Sequence, residues 1–220
     1  MIKPILFNTD MVKAILEGRK RVTRRAIKPH NPVKAAGEQY RQGFGLWIDP
    51  TTDNADNDGH IKDYSISPCW STFKWYVDKY APYHIGDILY VRETWAEMCT
   101  LIPKLGEYDQ SILYKATYKP NPDYDVPKIK WKPSIFMPKE AARIFLRVTN
   151  LSVARLQDIT EEQAKAEGAK AHHCLDALNA FRVIWDSTLK SEKELNKYGW
   201  FANPWVWVIE FERTEKPNGI

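Results

Sequence analysis

No stretch of this sequence approaches the roughly 20 consecutive apolar residues that a membrane-spanning helix needs. Its first residues also lack the charged, apolar and small-residue order of a secretory signal. The chain is therefore expected in the cytoplasm, with no membrane partner. Cysteine is scarce: Cys69, Cys99 and Cys174 are odd in number and far apart, which suits free thiols in a reducing compartment. There is no glycine-rich phosphate loop and no Gly-x-Ser-x-Gly elbow, so the familiar signatures of P-loop NTPases and α/β-hydrolases are missing. His172-His173-Cys174 is the only tight His/Cys cluster. Consecutive residues point in different directions, and no second pair stands at ligand spacing, so neither a metal nor a cofactor is expected. The Asp/Asn-rich tract at 51–59 lacks the glutamate that closes a calcium loop.

What the chain does have is charge concentrated in one place. Arg19, Lys20, Arg21, Arg24 and Arg25 crowd the eight residues that follow Glu17. Residues 1–30 carry eight Lys/Arg against two acids, whereas the whole chain nets only +4. A basic stretch on a near-neutral body fits a local anionic ligand better than bulk electrostatic binding. Its bland reading is a solvated loop. At 220 residues and 44% apolar, the chain can bury one good core that carries insertions.

Local patterns place the rest. Pro4–Phe7 reads as a strand, and Thr9 is expected to cap a helix with Asp10 in its first turn and Gly18 as its left-handed stop. Val22–Ile27 reads as a strand in which Lys20 and Val22 face one way and Arg21 and Thr23 the other. Gly86-Asp87 opens a strand through Tyr90 to Trp95, Ser111–Tyr118 is a further strand, and Ala142–Leu156 is a long β-rich run. Thr160 and Gln163 form a capping box for a short helix ended by Gly168. Glu167 falls in that helix's last turn, where a carboxylate opposes the helix dipole. Leu175, Leu178, Phe181 and Trp185 mark another amphipathic helix, and Trp205–Phe211 a strand buried on both faces. Short strands interrupted by helices argue an α+β fold around a small barrel.

Gly18-Arg19-Lys20 with Val22-Thr23, then Gly86-Asp87-Ile88-Leu89-Tyr90-Val91, then Ile159-Thr160-Glu161-Glu162-Gln163-Ala164 leading to Glu167, stand in the order seen in ASCH-domain proteins. Trp205–Phe211 resembles that family's last strand. The matching segments cover well under half of the chain. The resemblance implies a single PUA-like domain over 1–220, a mixed β-barrel with short flanking helices. Long insertions at about 28–84 and 96–130 resemble the larger, phage- or prophage-type branch.

By resemblance to small ASCH proteins that hydrolyse N4-acetylcytidine, the chain is expected to be an amidohydrolase acting on an acylated cytosine. Lys20, Thr23 and Glu167 match that family's catalytic lysine, threonine and glutamate, while Arg21 stands where the small members usually have threonine. A threonine hydroxyl needs an adjacent base to become a nucleophile. Lys20 serves as that base only if burial and its cationic neighbours lower its pKa. Glu167 would orient the amine or protonate the departing nitrogen. Arg19 and Arg25 are expected to help hold the substrate. In the strand after Gly86, Arg92, Glu93 or Trp95 is expected to contact the pyrimidine, against the alternative that Trp95 is core. The rival readings are an RNA-binding module or ribonuclease using the basic 19–25 segment, with RNA as partner, and a phage accessory protein acting through a protein partner.

Overall fold

A strand-then-helix opening follows from the first 17 residues. In the computed structural model, which describes residues 1–27, 81–102, 107–119, 129–171 and 176–217, β1 (Ile2–Leu6) leads into α1 (Thr9–Leu16). Asn8, rather than Thr9, caps α1. Its extended backbone lets the side-chain amide oxygen accept from the Met11 N–H at 2.8 Å, a job for which asparagine outranks threonine. Val12, Ala14 and Ile15 are the buried stripe of α1, and Gly18 ends it at φ 74°.

Five strands form one mixed sheet in the order β1, β3 (Ile88–Arg92), β6 (Phe145–Arg155), β7 (Trp205–Thr214) and β2 (Val22–Ala26). β1 runs parallel to β3, with Ile2 opposite Ile88, and β3 runs antiparallel to β6. β2 runs antiparallel to β7, with Thr23 opposite Ile209 and Arg25 opposite Trp207. A separate two-stranded sheet pairs β4 (Trp95–Ile102) with β5 (Glu107–Tyr114). The strand expected from Gly86 to Trp95 is thus interrupted at Glu93-Thr94, and the one expected to reach Tyr118 ends at Tyr114 in a turn over 115–117.

The protein is α+β. Among the described residues the large sheet is open, not a closed barrel. Closure would need β1 and β2 to exchange backbone hydrogen bonds, and they stand at opposite ends of the strand order. Most of the expected insertion at 28–84, the 51–59 tract, the His172-His173-Cys174 cluster and Leu175 lie outside the described residues.

The chain forms two compact units that interleave along the sequence. The first comprises Met1–Arg21, Ile85–Thr149 and the chain from Phe211 onward. In it Trp95, Met137, Ala141, Ala142 and Phe145 make one apolar cluster, with Ile88, Tyr90 and Tyr114 packed against it. The second comprises Val22–His84 and Asn150–Glu210. Here α2 (Glu161–Ala166) and α3 (Ala177–Ser187) pack Ala164, Ala177, Phe181 and Trp185 against Val206 and Val208 of β7. α2 opens on the expected capping box, with Thr160 and Gln163 bonding reciprocally, and Gly168 follows it at φ 94°. α4 (Glu192–Tyr198) is tied to α3 where the Trp185 indole N–H donates to the Tyr198 carbonyl at 2.8 Å.

Two glycines separate conformational strain from steric overlap. At Gly18 an added Cβ meets nothing, so Gly18→Ala should cost only the about 1–2 kcal/mol of a left-handed L-residue. Gly199 has an ordinary φ of −68°, yet a Cβ there would collide with the Leu195 carbonyl oxygen that accepts its own amide. Chemical denaturation should therefore show Gly199→Ala to be the more damaging change.

Candidate functional site

Strand alternation sorts the basic segment before any contact is considered. In an antiparallel pair, directly opposed residues share a face. Thr23 and Arg25 therefore share one face of the second unit's sheet with Ile209 and Trp207. Val22, Arg24 and Ala26 take the other, where Val22 and Ala26 pack against the cluster formed with α2 and α3.

Arg24 follows them inward and is only 3% exposed. Its Nη1 donates to Glu167 Oε1 at 3.2 Å and its Nη2 to Gln163 Oε1 at 2.7 Å. Glu167 is the C-cap residue of α2 and is itself buried. A carboxylate at that end of a helix faces the negative pole of the macrodipole, and burial adds to the cost. The Arg24 guanidinium offsets both. Gln163 Oε1 also accepts the Thr160 amide at 3.3 Å, so one oxygen completes the capping box and receives Arg24. Arg24 Nε is buried with no hydrogen-bond partner among the described residues.

Arg25 adds a second cation near the same carboxylate. The residue as a whole is half-buried, but its guanidinium is desolvated. Burial lowers the Arg25 pKa, while the charges of Glu167 and Tyr83 oppose that shift. Burial raises the Tyr83 phenol pKa in turn, and Arg25 pulls it back down. Thr23, one residue before Arg24, is 1% exposed. The second unit thus brings together Arg24, Arg25, Glu167, Gln163 and Tyr83, with Thr23 on the same strand as the two arginines.

Lys20 belongs to the first unit and is 2% exposed there. Its amide donates to the Ala14 carbonyl at 3.0 Å, which fixes the residue just past the end of α1. Its Nζ lies 5.5 Å from the centroid of the Phe7 ring. Arg19 pairs with Glu17, its Nε at 2.7 Å and its Nη2 at 2.6 Å from Oε2. Of the five clustered cations, Arg21 alone is in the exposed class.

Arg92, Glu93 and Trp95 also lie in the first unit. Arg92 Nε donates to the Met137 carbonyl at 2.8 Å. Glu93 is 1% exposed and accepts a two-pronged bond from Arg143, at 2.8 Å from Nε and 3.0 Å from Nη2. Arg143 also lies 3.9 Å from the Tyr114 ring centroid and donates to Thr117 Oγ1 at 3.0 Å. Trp95 sits in the apolar cluster, with Lys132 Nζ 4.6 Å from its ring and its indole N–H without a hydrogen-bond partner among the described residues.

The sequence placed Arg24 in the basic run and Gln163 in the capping box but gave neither a link to Glu167, and Tyr83 and Arg143 carried no expected role. For Arg24 the signal was strand alternation, which sends it toward the helices. For Arg143 it was a lone cation heading an apolar run.

Among the described residues, no group of three His, Cys, Asp or Glu could hold a metal ion, and no helix is long and apolar enough to cross a membrane. No protein family, no curated protein and no solved structure matches this chain.

Two measurements follow from these contacts. Removing Arg143 leaves the buried Glu93 carboxylate without its fork, so Arg143→Met should lower unfolding free energy by about 3 kcal/mol in urea titrations. The second concerns alkaline pH. The folded protein holds the Tyr83 proton more tightly than the unfolded chain does. That stability is fully present below about pH 10 and is lost as pH rises through the higher folded pKa. Tyr83→Phe should therefore lose less stability than the parent above pH 10. Tyr114, raised by burial in the same sense, keeps the flattening partial.

Proposed function

We propose that this protein is an amidohydrolase that removes an acyl group from the exocyclic nitrogen of an N4-acylated cytosine nucleoside. In this reading the α+β sheet is a PUA-like fold of the ASCH type, from the larger phage-type branch, working in the cytoplasm. Thr23 Oγ1 attacks the acyl carbonyl while Lys20 takes the hydroxyl proton. The C–N bond then breaks, the proton passes to the departing N4 amine, and an acyl-threonine remains for water to hydrolyse. Glu167 orients the reacting groups.

The observation that carries the reading is burial. Lys20, Thr23 and Glu167 are exposed by only 2%, 1% and 7%. Burying a lysine, a hydroxyl and a carboxylate is costly, and proteins tolerate it where the groups are paired or used. The same burial weighs against an RNA-binding surface built from the 19–25 segment. Phosphate binding needs accessible cations, yet Lys20 and Arg24 are buried and Arg19 pairs with Glu17. Arg25 and Tyr83 act as positioning residues beside Thr23 in this reading. They belong to the same unit as Thr23, and Arg25 shares its sheet face.

Ultraviolet spectroscopy of the protein mixed with N4-acetylcytidine tests this directly, because deacylation shifts the chromophore. Lys20→Arg should reduce the initial rate by at least about 10²-fold, because a guanidinium cannot release its proton near neutral pH. Thr23→Ala should match that loss. A Lys20→Arg protein that deacylates at the parent rate would exclude the lysine base.

A further inference from the structure

We infer that Arg24 is a positioning residue whose task is to set where the Glu167 carboxylate stands. The catalytic consequence of this inference rests on the function proposed above. Its structural content does not.

Arg24 lies on the face of β2 opposite to Thr23, so it is directed away from the nucleophile proposed for the reaction. Its Nη1 and Nη2 reach two residues of α2 that are four positions apart, Glu167 and Gln163. Residues at that spacing are neighbours on one helix face. A planar guanidinium grips such a pair in a fixed geometry, which a lysine ammonium cannot reproduce.

Gln163 is itself held, since its side chain closes the capping box with Thr160. The chain of restraint therefore runs from the cap, through Gln163 and Arg24, to Glu167. Arg24 thereby holds Oε1 of the carboxylate at 3.2 Å. This also accounts for Glu167 at a helix C-terminus: the residue is tolerated there because a strand residue answers its charge. Two of the three guanidinium nitrogens of Arg24 are directed at the α2 pair.

Arg24→Gln removes the fork, and Arg24→Lys retains a cation without it. Assayed with N4-acetylcytidine, Arg24→Gln should lower kcat by about 10- to 100-fold, the scale of a carboxylate misplaced by an ångström. KM should change by no more than about twofold, because Arg24 lies on the strand face opposite Thr23. Arg24→Lys should recover part of kcat. In the Glu167→Gln background, Arg24→Gln should add no further loss, because a positioning residue has nothing left to position. Losses that multiply would overturn the inference, as would an Arg24→Gln protein of parental kcat.

Crystal structures of the parent protein and the Arg24→Lys variant decide the structural content without reference to turnover. The inference expects the Glu167 carboxylate to move or rotate, and a shift of less than about 0.5 Å would overturn it. If the parent protein itself leaves N4-acetylcytidine intact, the proposed function falls, while the position of Glu167 in the variant still decides the role of Arg24. Arg24→Lys also serves should Arg24→Gln fail to fold.

Discussion

Arg24 and Glu167 are both almost out of water, and each answers the other's charge. Taking one charge into the interior costs several kcal/mol, which a single well-placed opposite charge largely offsets. The net contribution of such a pair to stability is small, and apolar residues of similar size often do as well. What the pair provides is geometry. It ties the strand that carries Thr23 to the helix that ends at Glu167. The first unit uses the same device, with Arg143 gripping Glu93 where β3 ends and β4 begins. In each unit a buried carboxylate is fixed by an arginine distant in sequence.

The basic run shows how far a charge count can mislead about surface. Arg19, Lys20, Arg21, Arg24 and Arg25 read in one dimension as a cationic patch. The turn after α1 buries Lys20, the pleat of β2 sends Arg24 toward α2, and Glu17 pairs with Arg19. Lys20 and Arg24 are buried, Arg19 and Arg25 are half-buried, and Arg21 alone is exposed. What remains is a cluster in which Arg24 and Arg25 surround one carboxylate, a setting suited to holding reacting groups more than a polyanion.

Legibility in the sequence tracked the range of the interaction. Gly18 was readable as a left-handed stop, Gly86 as a turn, Gly168 as a helix end and the Thr160–Gln163 box as a helix start, because each is decided within four or five residues; the structure adds that all three glycines have positive φ. Asn8 outcompeted Thr9 for the cap by a margin of one position that propensity does not resolve. The β4–β5 hairpin and the open sheet were not legible, since both depend on which edges pair across long stretches of chain. Glu167 stood out locally as misplaced. Its explanation was Arg24, 143 residues away, which no local rule could supply.

The pairing of β2 with β7 has a consequence in time. Thr23 lies opposite Ile209, so the strand that carries the proposed nucleophile has its one sheet partner among the described residues made almost a whole chain later. As the polypeptide emerges, β2 must wait with its backbone donors and acceptors unanswered while the intervening residues are synthesised. Long-range closure of this kind slows folding and leaves an adhesive edge exposed in the interim. Arg24 and Arg25 put charge on that strand, and charge on an unpaired edge disfavours pairing with copies of itself.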